Sequence, residues 1–181
     1  IDSVVSVLRG EMLTQGPLIE KTESELAEKI GSNYCTLVSS ATAALHLALI
    51  AIGVNEKSKI WTVSNTFLAT ANAARYCGAS LKFCDIESQT LNIDMNTVTQ
   101  SLEIAKKNND LPDVIVAVHF AGSSCDMTTL YNLSKEYHFK IIEDASHAIG
   151  GKYLGRYIGD CSFSDACIFS FHPVKIITSG E

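Results

Sequence analysis

The sequence predicts an α/β domain with a largely parallel sheet flanked by helices. Three observations carry this. Short β-branched runs alternate with helix-patterned segments along the chain, as in βα units that build parallel sheets. Several of the runs, "DVIVAVHF" among them, are apolar throughout, which suits strands covered on both faces. Polar and titratable residues then cluster just after the runs, where ligands gather in such sheets.

The strands are expected at 34–39 ("YCTLVS"), 59–64 ("KIWTVS"), 81–86 ("LKFCDI"), 113–120, 139–144 ("FKIIED") and 166–171 ("ACIFSF"). Helices are expected between them. Residues 20–30 carry Leu26 and Ile30 one turn apart. Over 42–52, Ala44, Leu45, Ala48, Leu49 and Ile52 make one apolar face. Residues 66–77, 95–107 and 127–137 complete the set, with Asp94 placed as an N-cap.

The chain has 181 residues, enough for one domain with a good core and too few for two large ones. Fourteen Lys and Arg against twenty Asp and Glu give a net charge of −6, which argues against nucleic acid or an anionic membrane as partner but not against a small phosphate. No apolar run reaches the ~18 residues of a membrane span, and no signal peptide is legible. The six cysteines form no C-x-x-C pair, so reduced, buried thiols in a cytoplasmic protein are expected. The first residue is Ile1 rather than Met, so an N-terminus that is trimmed or unobserved is expected.

Four stretches could carry chemistry. In "SSATAALHLAL", Ser39, Ser40 and Thr42 stand where a helix begins. They read as an ordinary N-cap, or as a phosphate seat where free N–H groups, hydroxyls and the positive helix end converge. In "VSNTFLATANA", Phe67 is either core or a face for a planar ring. In "KIIEDASHAIGG", Glu143 and Asp144 end an apolar strand and His147 follows. One Asp and one His make a weak ligand set, so no metal is expected; a carboxylate holding a heterocyclic nitrogen protonated fits better. In "FSFHPVKIITSGE", Pro173 keeps His172 out of helix, and Lys175 sits in a short loop near the same sheet edge as Ser170. It is either a solvated charge or a covalent anchor of the Schiff-base kind.

Taken together these stretches resemble the DegT/DnrJ/EryC1/StrS sugar aminotransferases, which depend on pyridoxal 5'-phosphate (PLP). The resemblance runs from "LTQGP" through "SSATAALHLAL", "NTFLATANAARYCGA", "FCDIESQTLNID" and "EDASHAIGGKYLGRYIGD" to "FSFHPVKIITSGE". "HPVK" and "SSATAALHLAL" look closest to the branch that aminates UDP-linked 4-keto-6-deoxy-N-acetylhexosamines on the way to pseudaminic acid.

The resemblance implies a PLP aminotransferase of fold type I, with residues 1–181 forming the N-terminal part of the PLP-binding large domain ahead of its remainder and a small C-terminal domain. Lys175 would be the covalent anchor of the cofactor and later its proton shuttle. Asp144 would pair with the pyridine nitrogen, His147 would lie near the ring hydroxyl, and Phe67 would stack on the ring. Thr42, the Ala43 amide and Ser170 would hold the phosphate, while Gly16 and Pro17 resemble the loop that frames the nucleotide-sugar site. The reaction would pass an amino group from glutamate to the C4 ketone of a sugar nucleotide, in a homodimer whose partner subunit completes the phosphate site. Ala41 stands where many members carry Gly. Two other readings remain: a related PLP sugar dehydratase, which would carry His in place of Lys175, and a catalytically silent cofactor-binding or structural module. A nicotinamide site is excluded, because no G-x-G-x-x-G follows the first strand.

Overall fold

The structure is a computed structural model and describes residues 1–179. Where length suggests one domain, the chain divides into two compact units, Ile1–Leu37 and Val38–Glu181. The first holds α1 (Asp2–Arg9) and α2 (Pro17–Ile30). Its one buried apolar residue among those described is Ile30. Helix α2 starts at Gly16 with Pro17 in its first turn, where a missing N–H costs nothing, and stops at Gly31 in the left-handed region.

The second unit is the predicted α/β layer. Its elements are α3 (Ala41–Ala51), β1 (Lys59–Val63), α4 (Leu68–Tyr76), β2 (Ser80–Cys84), α5 (Met95–Lys107), β3 (Val114–Val118), α6 (Met127–Tyr137), β4 (Lys140–Asp144), a small hairpin of β5 (Lys152–Tyr153) and β6 (Arg156–Tyr157), and β7 (Ala166–Ile168). The five-stranded sheet runs β2-β1-β3-β4-β7 and is parallel throughout. Strand β3 is buried at every position, which is why its sequence shows no alternation.

The period of two sorts the core into two layers. Ile60, Val114, Val116 and Ile142 pack beneath Leu45 and Leu49 of α3 and the alanines of α4. Trp61, Ile115, Ala117 and Ile141 pack beneath α5 and α6. Small side chains let α4 lie close on the sheet: Ala73 and Ala74 are fully buried. The expected cap is present, since the Asp94 side chain accepts from the Asn96 amide at 2.9 Å.

The strand expected over 34–39 does not form. Tyr34 is 91% exposed and Val38 39% exposed on one face, and Cys35 and Leu37 on the other are only half-buried; β-propensity without full burial does not make a strand. Instead the Leu37 amide donates to Glu23 Oε1 at 2.7 Å. The run 166–171 is strand only to Ile168. Helix α1 has no counterpart in the sequence reading.

Candidate active site

In a parallel sheet all carboxyl ends lie at one edge, and helices returning to the strands present their N-termini there. Helix α3 leads through 52–58 into the start of β1, so its first turn belongs to that same edge. Ser40 is its N-cap, and its Oγ accepts from the Ala43 amide at 3.1 Å. The N-cap reading therefore holds, with Ser40 rather than Thr42 in the role. Thr42 is half-buried in the first turn, where backbone N–H groups have no intrahelical acceptor. The Ala43 amide is already engaged by Ser40, so reaching an anion requires that hydroxyl to turn away.

Asp144 ends β4 and is buried, 5% exposed. Thr70 Oγ1 donates to its Oδ2 at 2.6 Å, and the Ser146 amide and hydroxyl donate to Oδ1 at 3.2 and 2.7 Å. No Lys or Arg forms an ion pair with it among the described residues. A buried carboxylate held by neutral donors alone is an incomplete electrostatic arrangement, and a cationic nitrogen completes it. The neighbouring Glu143 faces the opposite layer, where it meets His119 Nε2 at 2.7 Å and the Ser164 hydroxyl. The Cys125 amide donates to His119 Nδ1 at 3.1 Å, which fixes the tautomer with the proton on Nε2. The two carboxylates that look alike in sequence thus have different partners.

Phe67 is the N-cap of α4 and 75% exposed, so the core reading is wrong and a free ring face remains. It stands three residues before Thr70, the donor to Asp144. Ser170 is buried beyond β7, and its Oγ accepts from the His172 amide at 3.4 Å. The turn continues with the Lys175 amide donating to His172 O at 2.9 Å. This brings Lys175 Nζ to 2.7 Å from Nε2 of His147, on the loop after β4. Lys175 is half-buried. Gly16 and Pro17, by contrast, belong to the first unit.

Burial, with the Glu143 carboxylate next in weight, raises the Cys167 thiol well above its ordinary range, and a protonated thiol is a poor nucleophile. No group of three or more His, Cys, Asp or Glu side chains suited to a metal occurs among the described residues.

The family model of the DegT/DnrJ/EryC1/StrS aminotransferases matches residues 1–181. The chain belongs to that family. It is 42% identical over 181 residues to the UDP-4-amino-4,6-dideoxy-N-acetyl-beta-L-altrosamine transaminase of Campylobacter jejuni, covering 100% of this chain and 46% of that protein. Among solved structures it is similar to the Helicobacter pylori aminotransferase involved in the biosynthesis of pseudoaminic acid, with TM-score 0.87, 32% identity, and coverage of 99% of this chain and 47% of that one. It is also similar to NtdA of Bacillus subtilis with bound cofactor PMP, with TM-score 0.86, 29% identity, and coverage of 98% and 38%. These likenesses confirm the fold-type-I reading of the sheet. The chain spans about half the length of the curated relatives it matches.

Sequence reasoning named Asp144, His147 and Lys175 as candidates, and the structure sets Lys175 against His147; that reasoning did not anticipate the side chains that hold Asp144. Thr70 is one of several threonines, and only the packing of α4 on β4 reveals its bond to Asp144. The roles of Asn92, His119 and Ser164 likewise depend on contacts from distant segments, for which the local pattern carries no signal.

Proposed function

We propose that this chain forms the PLP-binding part of an aminotransferase that moves an amino group, with glutamate as donor, to the C4 ketone of a UDP-linked 4-keto-6-deoxy sugar. The observation that carries the reading is the 2.7 Å contact between Lys175 Nζ and His147 Nε2, three residues beyond the cation-lacking Asp144. The Campylobacter and Helicobacter relatives support the sugar and the pseudaminic-acid setting. The PMP-bound relative supports the cofactor. In the intact protein we expect a cytoplasmic homodimer.

Bound PLP supplies an electron-withdrawing ring that acidifies the C–H beside the transferred nitrogen. The chain's own residues do the rest. Lys175 would hold the cofactor through its amine, and the same amine is the chain's candidate for moving a proton. His147 orients that amine through its ring nitrogen. Asp144, held by Thr70 and Ser146, would pair with the protonated nitrogen of a bound pyridine ring. Phe67 offers its exposed face to the ring. Thr42, Ser170, the positive end of α3 and, once Ser40 turns away, the Ala43 amide would hold the phosphate.

The test is the donor half-reaction. Intact protein loaded with PLP and mixed with glutamate should release 2-oxoglutarate, and subsequent addition of a UDP-4-keto-6-deoxy-N-acetylhexosamine should yield its 4-amino product. Cofactor binding without any 2-oxoglutarate would favour the silent-module reading instead.

A further inference from the structure

We propose that Gly122 and Asn92 are positioning residues for His147, holding the loop after β3 as a platform that sets the imidazole against Lys175. The inference rests on the proposed roles of His147 and Lys175 and goes beyond them, because neither positioning residue touches the reacting groups.

Gly122 ends a short 3₁₀ turn, Phe120–Gly122. Its φ is +87°, and a Cβ placed on it would lie 2.7 Å from the backbone O of His147. Both facts demand glycine: the left-handed backbone disfavours L side chains, and the approach to the carbonyl leaves no room for a methyl group. The preceding Ala121 also has positive φ, at 51°, so this turn is held in an unfavourable shape by its surroundings.

Asn92 supplies much of that hold. It is 4% exposed. Its Oδ1 accepts from the Phe120 amide at 2.9 Å, and its Nδ2 donates to Ser123 O and Ser124 O, both at 3.1 Å. One buried side chain thus grips the turn at both ends. His119 adds a second hold, its Nδ1 accepting from the Cys125 amide. The turn is therefore a fixed surface, and the His147 peptide lies against it at glycine-only distance. Any push on His147 O moves the imidazole four bonds away, and with it the 2.7 Å contact to Lys175.

The experiment reads the Lys175 amine directly and needs no cofactor. Intact protein and its variants are labelled with limiting acetic anhydride, and acetylation of Lys175 is measured by mass spectrometry relative to exposed Lys107. Gly122→Ala, Asn92→Ser and His147→Ala should each change the Lys175 rate in the same direction, by about threefold or more, and Gly122→Ala should add nothing in the His147→Ala background. Additive effects would overturn the proposal, as would folded Gly122→Ala and Asn92→Ser proteins with unchanged Lys175. Loss of cooperative melting in both variants would show that the contact serves folding and would also overturn it. A parallel arm with PLP and borohydride separates the two claims. Wild-type Lys175 that shows the acetylation pattern but never takes up PLP removes the aminotransferase reading and leaves the positioning geometry standing.

Discussion

Glu143 and Asp144 are adjacent in the chain yet serve opposite layers of the sheet. Glu143 is bound by His119 and Ser164 on the α5/α6 side, Asp144 by Thr70 and Ser146 on the α4 side. The alternation of a strand places them so, and it divides their work. The Glu143 cluster ties β3, β4 and the approach to β7 together, while Asp144 forms no ion pair with a cation among the described residues.

Exchanging the charges should separate these roles. Asp144→Asn keeps the shape and removes the negative charge, so in the intact enzyme kcat should fall about 100-fold or more while Lys175 still takes up PLP. Glu143→Gln should mainly cost stability, about 1–3 kcal/mol, because it weakens buried charge-assisted bonds. Steady-state kinetics and thermal melts on both variants check the division.

Phe67 is 75% exposed, so Phe67→Ala should change folding stability by no more than about 0.5 kcal/mol. Its loss should still weaken PLP binding by about tenfold if the ring stacks there. Fluorescence titration with PLP alongside a melt measures both quantities on one sample.

The start of α3 makes two demands on Ser40. Ser40→Ala removes the bond from the Ala43 amide and should cost about 1 kcal/mol. Thr42→Val and Ser170→Ala should instead narrow the preference for PLP over pyridoxal, which lacks the phosphate. Paired titrations with the two compounds distinguish a phosphate seat from a simple helix cap.

Two buried thiols set an alkaline limit. Burial pushes Cys84 up to about 11 and Cys125 up to about 12, from an ordinary 9.0. Above pH 9 the unfolded chain loses these protons before the folded one does, so it binds fewer and stability falls as pH rises. The contribution is complete below pH 9 and fades as pH climbs through 9 toward 11 and 12. Cys125→Ala should lessen the slope of stability against pH in that window by about 1.4 kcal/mol per unit. Urea unfolding at stepped pH provides the slope.

Much of this was legible in the sequence because the sheet is buried on both faces. "DVIVAVHF" and "FKIIED" read as interior strands and are so, and the polar residues ending them lie at the carboxyl edge of the sheet. The run "YCTLVS" has the same local character, but none of its residues is fully buried, so its strand was misread. Lys175 and Asp144 stood out by position, whereas Thr70, Asn92 and Gly122 owe their roles to segments far along the chain. Glycine at 122 is required by the carbonyl of His147, 25 residues later, and no local pattern encodes such a contact.

The most direct test of the central claim is to mix the intact protein with PLP, reduce with borohydride, and map the modified lysine by mass spectrometry. The account predicts modification at Lys175 and its loss in Lys175→Arg, with Lys140 and Lys152 untouched. Modification elsewhere, or none at Lys175, would contradict it.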